Sequence, residues 1–293
     1  MKILITGANG IVGSELINSL PINYKIYTIT NKKLNRSIKK KISHNLIYKN
    51  NYLDLEKYVF SIKPDAVIHL ATKWKKIDDE NKKEIIESNI IFSSFLIDIC
   101  SKLNLKFFIN TSSYTQLNEK GAYKPFNFYS ASKYAFEKIL YYYFLNSKTK
   151  VINLRIMNVY GSLKDSRIVN YIFKAIHNKQ KKIIINDINA RVDLVHIKDV
   201  IGALNSILIS KKKNIYRSFT YDISSNQQIS IFKLIKLIEK ICGYKFALIK
   251  NKKIFNQYLK KPFRSKKLIN WKNKISLLNG LKKTHLLFHP KLK

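Results

Sequence analysis

The sequence predicts an α/β protein built on a doubly wound parallel sheet, and three observations carry that prediction. Short apolar strands alternate with helical stretches; the strands show little polar alternation, as expected when helices cover both faces; and the first strand runs straight into glycines spaced three apart and then into a helix. Strand candidates lie at 2–6, 25–30, 66–70, 106–111, 150–155 and 192–197. Helical stretches lie at about 11–19, 84–103, 130–146, 167–178, 198–210 and 230–241. After residue 160 the pattern loosens into loops, lysine runs and short elements, which suggests a substrate-binding lobe placed between and after the last strands. The lysine runs at 211–213 and 250–253 read as solvated loops.

The opening stretch, Ile3-Leu-Ile-Thr-Gly-Ala-Asn-Gly-Ile-Val-Gly13, has the form of a dinucleotide-phosphate turn. Gly7 allows a tight exit from the strand, Gly10 lets backbone approach a pyrophosphate, and Gly13 lets the new helix pack close to the sheet. The N-terminal amides of that helix then face the anion. Three of only 8 glycines in 293 residues stand here, directly after a β-branched strand, so the turn is not an accident of a glycine-rich composition.

Composition bounds the answer. At 46% hydrophobic the chain can bury a core large enough for one α/β domain with a smaller lobe. No apolar run reaches the length of a membrane span, and Met1-Lys2 leads directly into the first strand, so the expectation is a cytoplasmic protein without a membrane partner. Cys100 and Cys242 lack metal-type spacing and read as reduced core residues. The net charge of +37 would suit a polyanion binder, but only Arg36, Arg155, Arg167, Arg191, Arg217 and Arg264 of the 55 basic residues are arginine. Lysine is spread along the whole chain beside abundant Ile and Asn, so the charge reads as a solvated background, with no specific nucleic-acid partner. A basic cleft would still suit a phosphate-bearing substrate.

Tyr129-Ser-Ala-Ser-Lys133 carries the second chemical signal. A spacing of four puts phenol and ammonium on one helical face, where the charge is expected to lower the phenol pKa and make it a usable proton donor or acceptor. Tyr134 and Tyr160 also have lysine four residues on, so context must choose among the three. Only Tyr129 opens a helix after a loop that follows an apolar strand ending in Thr111-Ser112-Ser113, at the strand end where open α/β sheets bind ligands.

With these motifs in order, the chain resembles the extended short-chain dehydrogenase/reductase family of nucleotide-sugar epimerases, dehydratases and 4-keto reductases. The resemblance spans nearly the whole length: Thr6 to Gly13, Asp54-Leu55, Asp65-Ala-Val-Ile-His-Leu-Ala71, Asn89, Tyr129 to Lys133, Leu154-Arg-Ile-Met-Asn-Val-Tyr-Gly161 and Val195-His-Ile-Lys-Asp199. It implies a Rossmann-like domain over 1–160, to which a strand and helix near 192–210 return, and a mainly substrate-binding lobe over 161–293. It implies cofactor contacts from Gly7, Asn9, Gly10, Ile11, Gly13, Asn31, Lys32, Asp54, Leu55, Leu70, Ala71 and Asn89 besides Tyr129 and Lys133. Asp54 would meet the adenine, and Leu70 and Ala71 would line the groove. Ser113, Asn158 and Arg191 would face the substrate, a sugar nucleotide, and the family commonly forms homodimers through paired helices. Three further residues read differently. His69, inside an apolar strand, reads as a packed structural residue; His196 and Asp199 read as anchors of the lobe. Arg155 and Asn158 stay open between structural and substrate roles.

Departures from the family pattern narrow the reaction. The 4,6-dehydratases follow their catalytic hydroxyl residue with Asp-Glu, whereas Ser113 is followed by Tyr114-Thr115, which cannot act as that acid-base pair. The short stretch from Ser113 to Tyr129 looks like the compact 4-keto-sugar reductases of the CDP-paratose and CDP-abequose synthase type. Arg191 stands one place earlier than in the family's Arg-Asp pair, which on a strand turns it to the other face and undermines its diphosphate contact. The second strand ends in Thr30-Asn31-Lys32-Lys33 with Arg36 beyond, offering positive charge and no carboxylate, which favours NADP(H) over NAD(H). The expectation is therefore NADPH-dependent reduction of a nucleotide-linked 4-keto-6-deoxy sugar with Ser113, Tyr129 and Lys133 as the catalytic set. A 4-epimerase using bound NAD is the alternative. A non-catalytic NADP- or polyanion-binding protein is the reading from another class.

Overall fold

A computed structural model describes residues 1–74, 82–250, 263–264 and 266–288. The N-terminal half runs β1 (Lys2–Thr6), α1 (Ile11–Ser19), β2 (Lys25–Thr30), α2 (Arg36–Lys39), β3 (His44–Ile47), α3 (Tyr52–Ile62) and β4 (Ala66–His69). Next come α4 (Lys82–Ile86), a π turn (Glu87–Ile91), α5 (Phe92–Ser101), β5 (Phe107–Ser113), a 3₁₀ turn (Tyr114–Gln116), α6 (Phe128–Asn146) and β6 (Val151–Ile156). The remainder comprises β7 (Asn158–Tyr160), α7 (Ile168–His177), β8 (Lys182–Ile185), β9 (Arg191–Val192), β10 (Leu194–His196) and α8 (Ile197–Leu208). It ends with β11 (Thr220–Ile223), β12 (Ile229–Ser230), α9 (Ile231–Cys242), β13 (Ala247–Lys250) and α10 (Leu277–Phe288).

Seven strands form the central sheet in the order β11-β6-β5-β4-β1-β2-β3, every pair parallel. Strand alternation sorts their side chains to two covered faces: Ile3, Ile5, Ile68 and Ile109 join Leu16 of α1 and Leu204 of α8, while Leu4, Val67 and Phe108 join Val59, Leu96 and Phe136 of α3, α5 and α6. The expected doubly wound Rossmann-like sheet is therefore present. Polar residues inside it are paired across strands, Asn110 donating to Asn153 (2.7 Å) and Asn153 to Thr220 (3.1 Å).

Several expected elements are corrected. The stretch 192–197 is not a strand of the main sheet: it forms β9 and β10, which pair with β12 and β7 around the buried Asp193 carboxylate. The seventh strand is instead β11, whose Thr-Tyr-Asp-Ile lacks an apolar run because Asp222 faces Arg155 across the sheet. β3, His-Asn-Leu-Ile, also escapes an apolar search, since an edge strand needs only half its side chains inside. The helix expected over about 84–103 is present as a continuous helical run from Lys82 to Ser101 that contains the π turn, and the helix expected from 130 begins at Phe128 because Asn127 caps it, accepting from the Ser130 amide at 2.9 Å.

Beyond residue 160 the chain is more regular than its lysine content suggests. α7, α9 and α10 enclose a second core of Tyr160, Phe173, Ile185, Leu234, Ile238 and Leu281. Lys211 and Lys212 are exposed as expected, whereas 251–253 lie outside the described residues. Asp199 joins the two cores, its carboxylate accepting from the Lys274 and Ile275 amides at 2.9 and 3.1 Å. α10 seats through Gly280, where an added Cβ would run into the buried Tyr160 hydroxyl. Gly280→Ala is expected to lower the thermal midpoint by several degrees, with partial recovery when Tyr160→Phe removes that hydroxyl. Purely additive losses in the double variant would show that the two side chains do not share this contact.

Candidate active site

The site is built at the C-terminal ends of β1, β4 and β5. Gly7 takes φ +72°, and a Cβ there would lie 2.6 Å from the Leu70 carbonyl carbon, so the strand can turn only without a side chain. A Cβ at Gly13 would meet the Gly7 carbonyl, which holds α1 close to the turn. Gly10 caps α1, donates its amide to Gly7 (2.9 Å) and leaves the first turn without a side-chain cap or an acidic residue; Ile11 is the first residue of that turn. The amides there are free to meet an anion. Asn9 fastens the opposite wall, donating to the Lys33 carbonyl (3.0 Å) and accepting from the Asn35 amide (2.9 Å). Asn31, Lys32, Lys33 and Arg36 stand exposed on that wall.

His69 is buried and structural. Burial, with the Lys133 charge in support, pushes its pKa down to about 3, so the ring is neutral. Its Nδ1 is 2.8 Å from the Thr6 hydroxyl, which also accepts from the Leu70 and Ala71 amides, and its Nε2 is 2.9 Å from Ser93 Oγ. Ser93 in turn donates to the Ser88 carbonyl in the π turn (3.1 Å). With Ser93 donating onward, Nε2 carries the hydrogen and Nδ1 accepts from Thr6.

Asn89 sits in the π turn and is buried. Its oxygen accepts from the Lys73 amide (2.7 Å) and the Thr72 hydroxyl (3.1 Å); its nitrogen donates to the Lys73 carbonyl (3.0 Å) and to Ser132 Oγ (2.9 Å). Ser132 donates to the Tyr129 carbonyl at 2.8 Å, so one amide ties the exit of β4 to the first turn of α6. β5 is tied to the same turn by hydroxyls. Ser130 donates to Asn127 (3.0 Å), so Thr115 donates to Ser130 (2.7 Å) and Ser113 to Thr115 (2.7 Å).

Tyr129 and Lys133 thus project from a helix anchored to two strand ends, and their titration departs from the sequence expectation. Burial raises the Tyr129 phenol above its ordinary value, outweighing the nearby Thr72 hydroxyl and Arg167 charge that pull it down. Lys133 is itself buried, and desolvation lowers its pKa to about 8 despite the Glu137 carboxylate one turn on. The lowering expected from Lys133 is corrected: burial is the larger effect on the phenol, and Thr72 and Arg167, not Lys133, are the groups that pull it down. The two composition-matched tyrosines lie elsewhere, Tyr134 stacked on Tyr123 with Lys138 over its ring, and Tyr160 buried against His196 in the second core.

On the substrate side Tyr114 donates to Asn158 Oδ1 (2.8 Å), while the buried Asn158 Nδ2 has no partner among the described residues. Arg191 is exposed at the edge of β9 beside the buried Asp193. Asp193 takes its cation from Arg264 at 2.5 Å and accepts further from Ser224 and Ser225. Asp54 is exposed in the first turn of α3, and the Leu55 side chain is committed to the core. Leu70 and Ala71 are half-buried at the exit of β4.

A family model, the NAD dependent epimerase/dehydratase family, matches residues 3–219. The chain belongs to this family. It is similar to a CDP-abequose synthase from Salmonella muenchen, 28% identical over 303 residues and 96% of both chains. It is also similar to a dTDP-D-glucose 4,6-dehydratase from Dictyostelium discoideum, 30% identical over 82% of this chain and 62% of the relative. Among solved structures it shares its fold with the Thermotoga maritima UDP-glucose 4-epimerase with UDP-glucose, 22% identical over 100% of both chains, at a TM-score of 0.84. The Bacillus cereus UDP-glucuronic acid 4-epimerase, in complex with UDP-glucuronic acid and NAD, matches with 22% identity over 99% of this chain and 100% of that one, at a TM-score of 0.82.

As an epimerase/dehydratase family member the chain is an oxidoreductase-type enzyme, and among the described residues no helix is long and apolar enough to cross a membrane. The sequence motifs do not single out Thr72, Thr115, Arg167 or Arg264. Arginine scarcity alone is a signal that could have found Arg167 and Arg264, and Thr72 stands directly after His69-Leu-Ala.

Lys133 gives a signed prediction. Its pKa is about 8 folded against 10.5 for a free lysine, so between these values the unfolded chain holds more protons and stability rises with pH. Lys133→Met should therefore melt higher than the parent at pH 7 and lose that advantage between pH 8 and 10.5, as followed by calorimetry. A difference that is flat with pH would mean that the ammonium carries no burial cost.

Proposed function

We propose that this enzyme reduces a nucleotide-linked 4-keto-6-deoxy sugar with NADPH, in the synthesis of surface-polysaccharide sugars. The observation that carries the reading is the engagement of the two residues after Ser113. Tyr114 is bonded to Asn158, and Thr115 to Ser113 and Ser130, so no acid-base pair for dehydration stands beside the catalytic hydroxyl. Similarity to the Salmonella CDP-abequose synthase supports the same direction.

The residues present fit a dinucleotide: the Gly7 and Gly13 cradle would be filled by any Cβ, and the first turn of α1 lacks side-chain caps. When bound, a reduced nicotinamide supplies hydride to the sugar C4 carbonyl. Tyr129 then gives its proton to the developing alkoxide, and Ser113 would donate to the same oxygen by turning its O–H away from Thr115. Lys133 would hold the nicotinamide ribose, Asn158 would offer its unpartnered Nδ2 to the substrate, and Lys32, Lys33 and Arg36 would face the 2′-phosphate. A homodimer through paired helices, residues 1–160 binding the dinucleotide and 161–293 mainly the sugar nucleotide, and a cytoplasmic location belong to the same proposal.

Tyr129→Phe should cut turnover on a nucleotide 4-keto sugar by roughly 10²–10⁴ with little change in cofactor affinity. Lys133→Met should impair both turnover and cofactor binding, and Ser113→Ala turnover alone. Tyr134→Phe and Tyr160→Phe are the controls. Near-normal turnover in Tyr129→Phe would refute the assignment, and purified protein that retains tightly bound NAD would favour the 4-epimerase instead.

The cofactor choice is tested at Asn9, which fixes the basic wall through its bonds to Lys33 and Asn35. By fluorescence titration the parent should bind NADPH more tightly than NADH. Asn9→Ala, or Lys32→Ala with Lys33→Ala, should weaken NADPH binding several-fold more than NADH binding. Equal losses for the two dinucleotides would remove the wall from the specificity argument.

A further inference from the structure

We propose that Lys164 is a dinucleotide-binding residue: its ammonium, carried on the loop between β7 and α7, joins the amides of α1 in holding the cofactor's diphosphate. The inference rests on the reading of the Gly7 to Gly13 turn as the cofactor's cradle, to which it adds a charge brought from the second core. The amides in the first turn of α1 have neither a side-chain cap nor an acidic residue to answer them. Lys164 Nζ donates to Ser14 Oγ at 3.4 Å, a contact that spans 150 residues of chain. Ser14 is buried as the fourth residue of α1, and its hydroxyl turns back to donate to the Ile11 carbonyl at 3.3 Å. The ammonium therefore stands beside the first turn of the helix.

The loop that delivers it is built to hold that place. β7 ends at Gly161, whose φ of +97° is joined by a second constraint, since an added Cβ would lie 2.5 Å from His196 Nε2. The Asp165 amide donates to the Ser162 carbonyl (3.1 Å) and closes a turn with Lys164 at its third position. Asn170, buried in α7, donates to the Ser162 and Asp165 carbonyls at 2.7 and 2.9 Å, on either side of Lys164. The Asp165 carboxylate is taken by the Arg167 amide and guanidinium (3.1 and 2.7 Å), and among the described residues no carboxylate pairs with Lys164. A cation at the positive end of a helix is repelled by the amide dipoles, so the placement has an electrostatic reason only when an anion lies between them. A diphosphate is such an anion, with oxygens enough for both sets of donors. Ser14 is the resting partner, a neutral hydroxyl that yields the ammonium to a charged acceptor. Because α7 belongs to the second core, the bound dinucleotide becomes part of the joint between the two cores.

Dissociation constants for NADPH, NADH and ADP-ribose, measured by titration calorimetry without a sugar nucleotide, test the assignment. Lys164→Met should weaken all three by about tenfold, because they share the diphosphate and the lost contact is a charge-assisted hydrogen bond. High salt should narrow that difference. Ser14→Ala removes only the resting partner and should stay close to the parent, whereas Lys32→Ala with Lys33→Ala should act mainly on NADPH. The exposure of Lys164 leaves its variant free to fold. Unchanged affinities in Lys164→Met, a loss confined to NADPH, or a loss that spares ADP-ribose would each overturn the proposal. So would a loss seen only with UDP and CDP, which would put the lysine on the diphosphate of the sugar nucleotide. A parent that binds none of the three would overturn the cofactor reading and this proposal together. Turnover is measured separately: failure to reduce any nucleotide 4-keto sugar would sink the proposed function and leave these affinities readable.

Discussion

The Asn89 amide makes four hydrogen bonds, the full capacity of its oxygen and nitrogen, and each reaches a piece of chain that the site needs in place. Two hold the backbone of Lys73 as it leaves β4, one holds Thr72, and one holds α6 through Ser132. A buried amide left half-paired costs about 1–3 kcal/mol for each missing partner, so the exit of β4 and the start of α6 cannot drift apart independently. The π turn around Asn89 is what makes room for this. It frees the Ser88 carbonyl for Ser93, and through Ser93 and His69 the same turn reaches Thr6 at the end of β1. Two strand ends, those of β1 and β4, and one helix are thereby set by a connected set of polar contacts centred on the buried Asn89 and His69.

Scarce acidic residues serve the interior in the same manner. Asp193, Asp199, Asp222 and Glu239 are all buried in a chain whose 18 carboxylates face 55 basic residues. Asp193 gathers Arg264, Ser224 and Ser225; Asp199 holds the segment before α10; Glu239 accepts from the Phe246 amide at 2.7 Å and from Lys236 at 2.8 Å. Arg155 lies against Asp222 at 3.7 Å and over the Phe263 ring, with its Nε and Nη1 lacking a hydrogen-bond partner among the described residues. Asp193, Asp199 and Asp222 fasten elements distant in sequence, and Glu239 closes the turn that follows α9. The strong positive balance of the surface follows in part from where the acids are used.

What is legible in the sequence is what local chemistry fixes. The turn at Gly7, Gly10 and Gly13, the apolar strands β1, β4 and β5, and the hydroxyl-ended β5 preceding Tyr129 all announce themselves within a few residues. β11 does not, because its burial depends on pairing with β6 and its Asp222 is acceptable only opposite Arg155. The placement of β9 and β10 outside the main sheet is hidden for a similar reason, as Asp193 needs an arginine 71 residues away. Tyr129 and Lys133 are found by spacing, but their protonation is not, since spacing says nothing of how much water either group retains.

A π turn is also a helix carrying one residue more than its pitch requires, and that surplus rotates everything before it by about 100° against everything after it. α5 can therefore present Leu96, Ile97 and Cys100 to the sheet at a phase dictated by the core alone, while the preceding segment presents Asn89 at a phase dictated by the reaction edge. A single uninterrupted helix would have to satisfy both with one angle. The inserted residue uncouples the two, so that mutations repacking the core beneath α5 need not turn the amide away from Thr72 and Ser132.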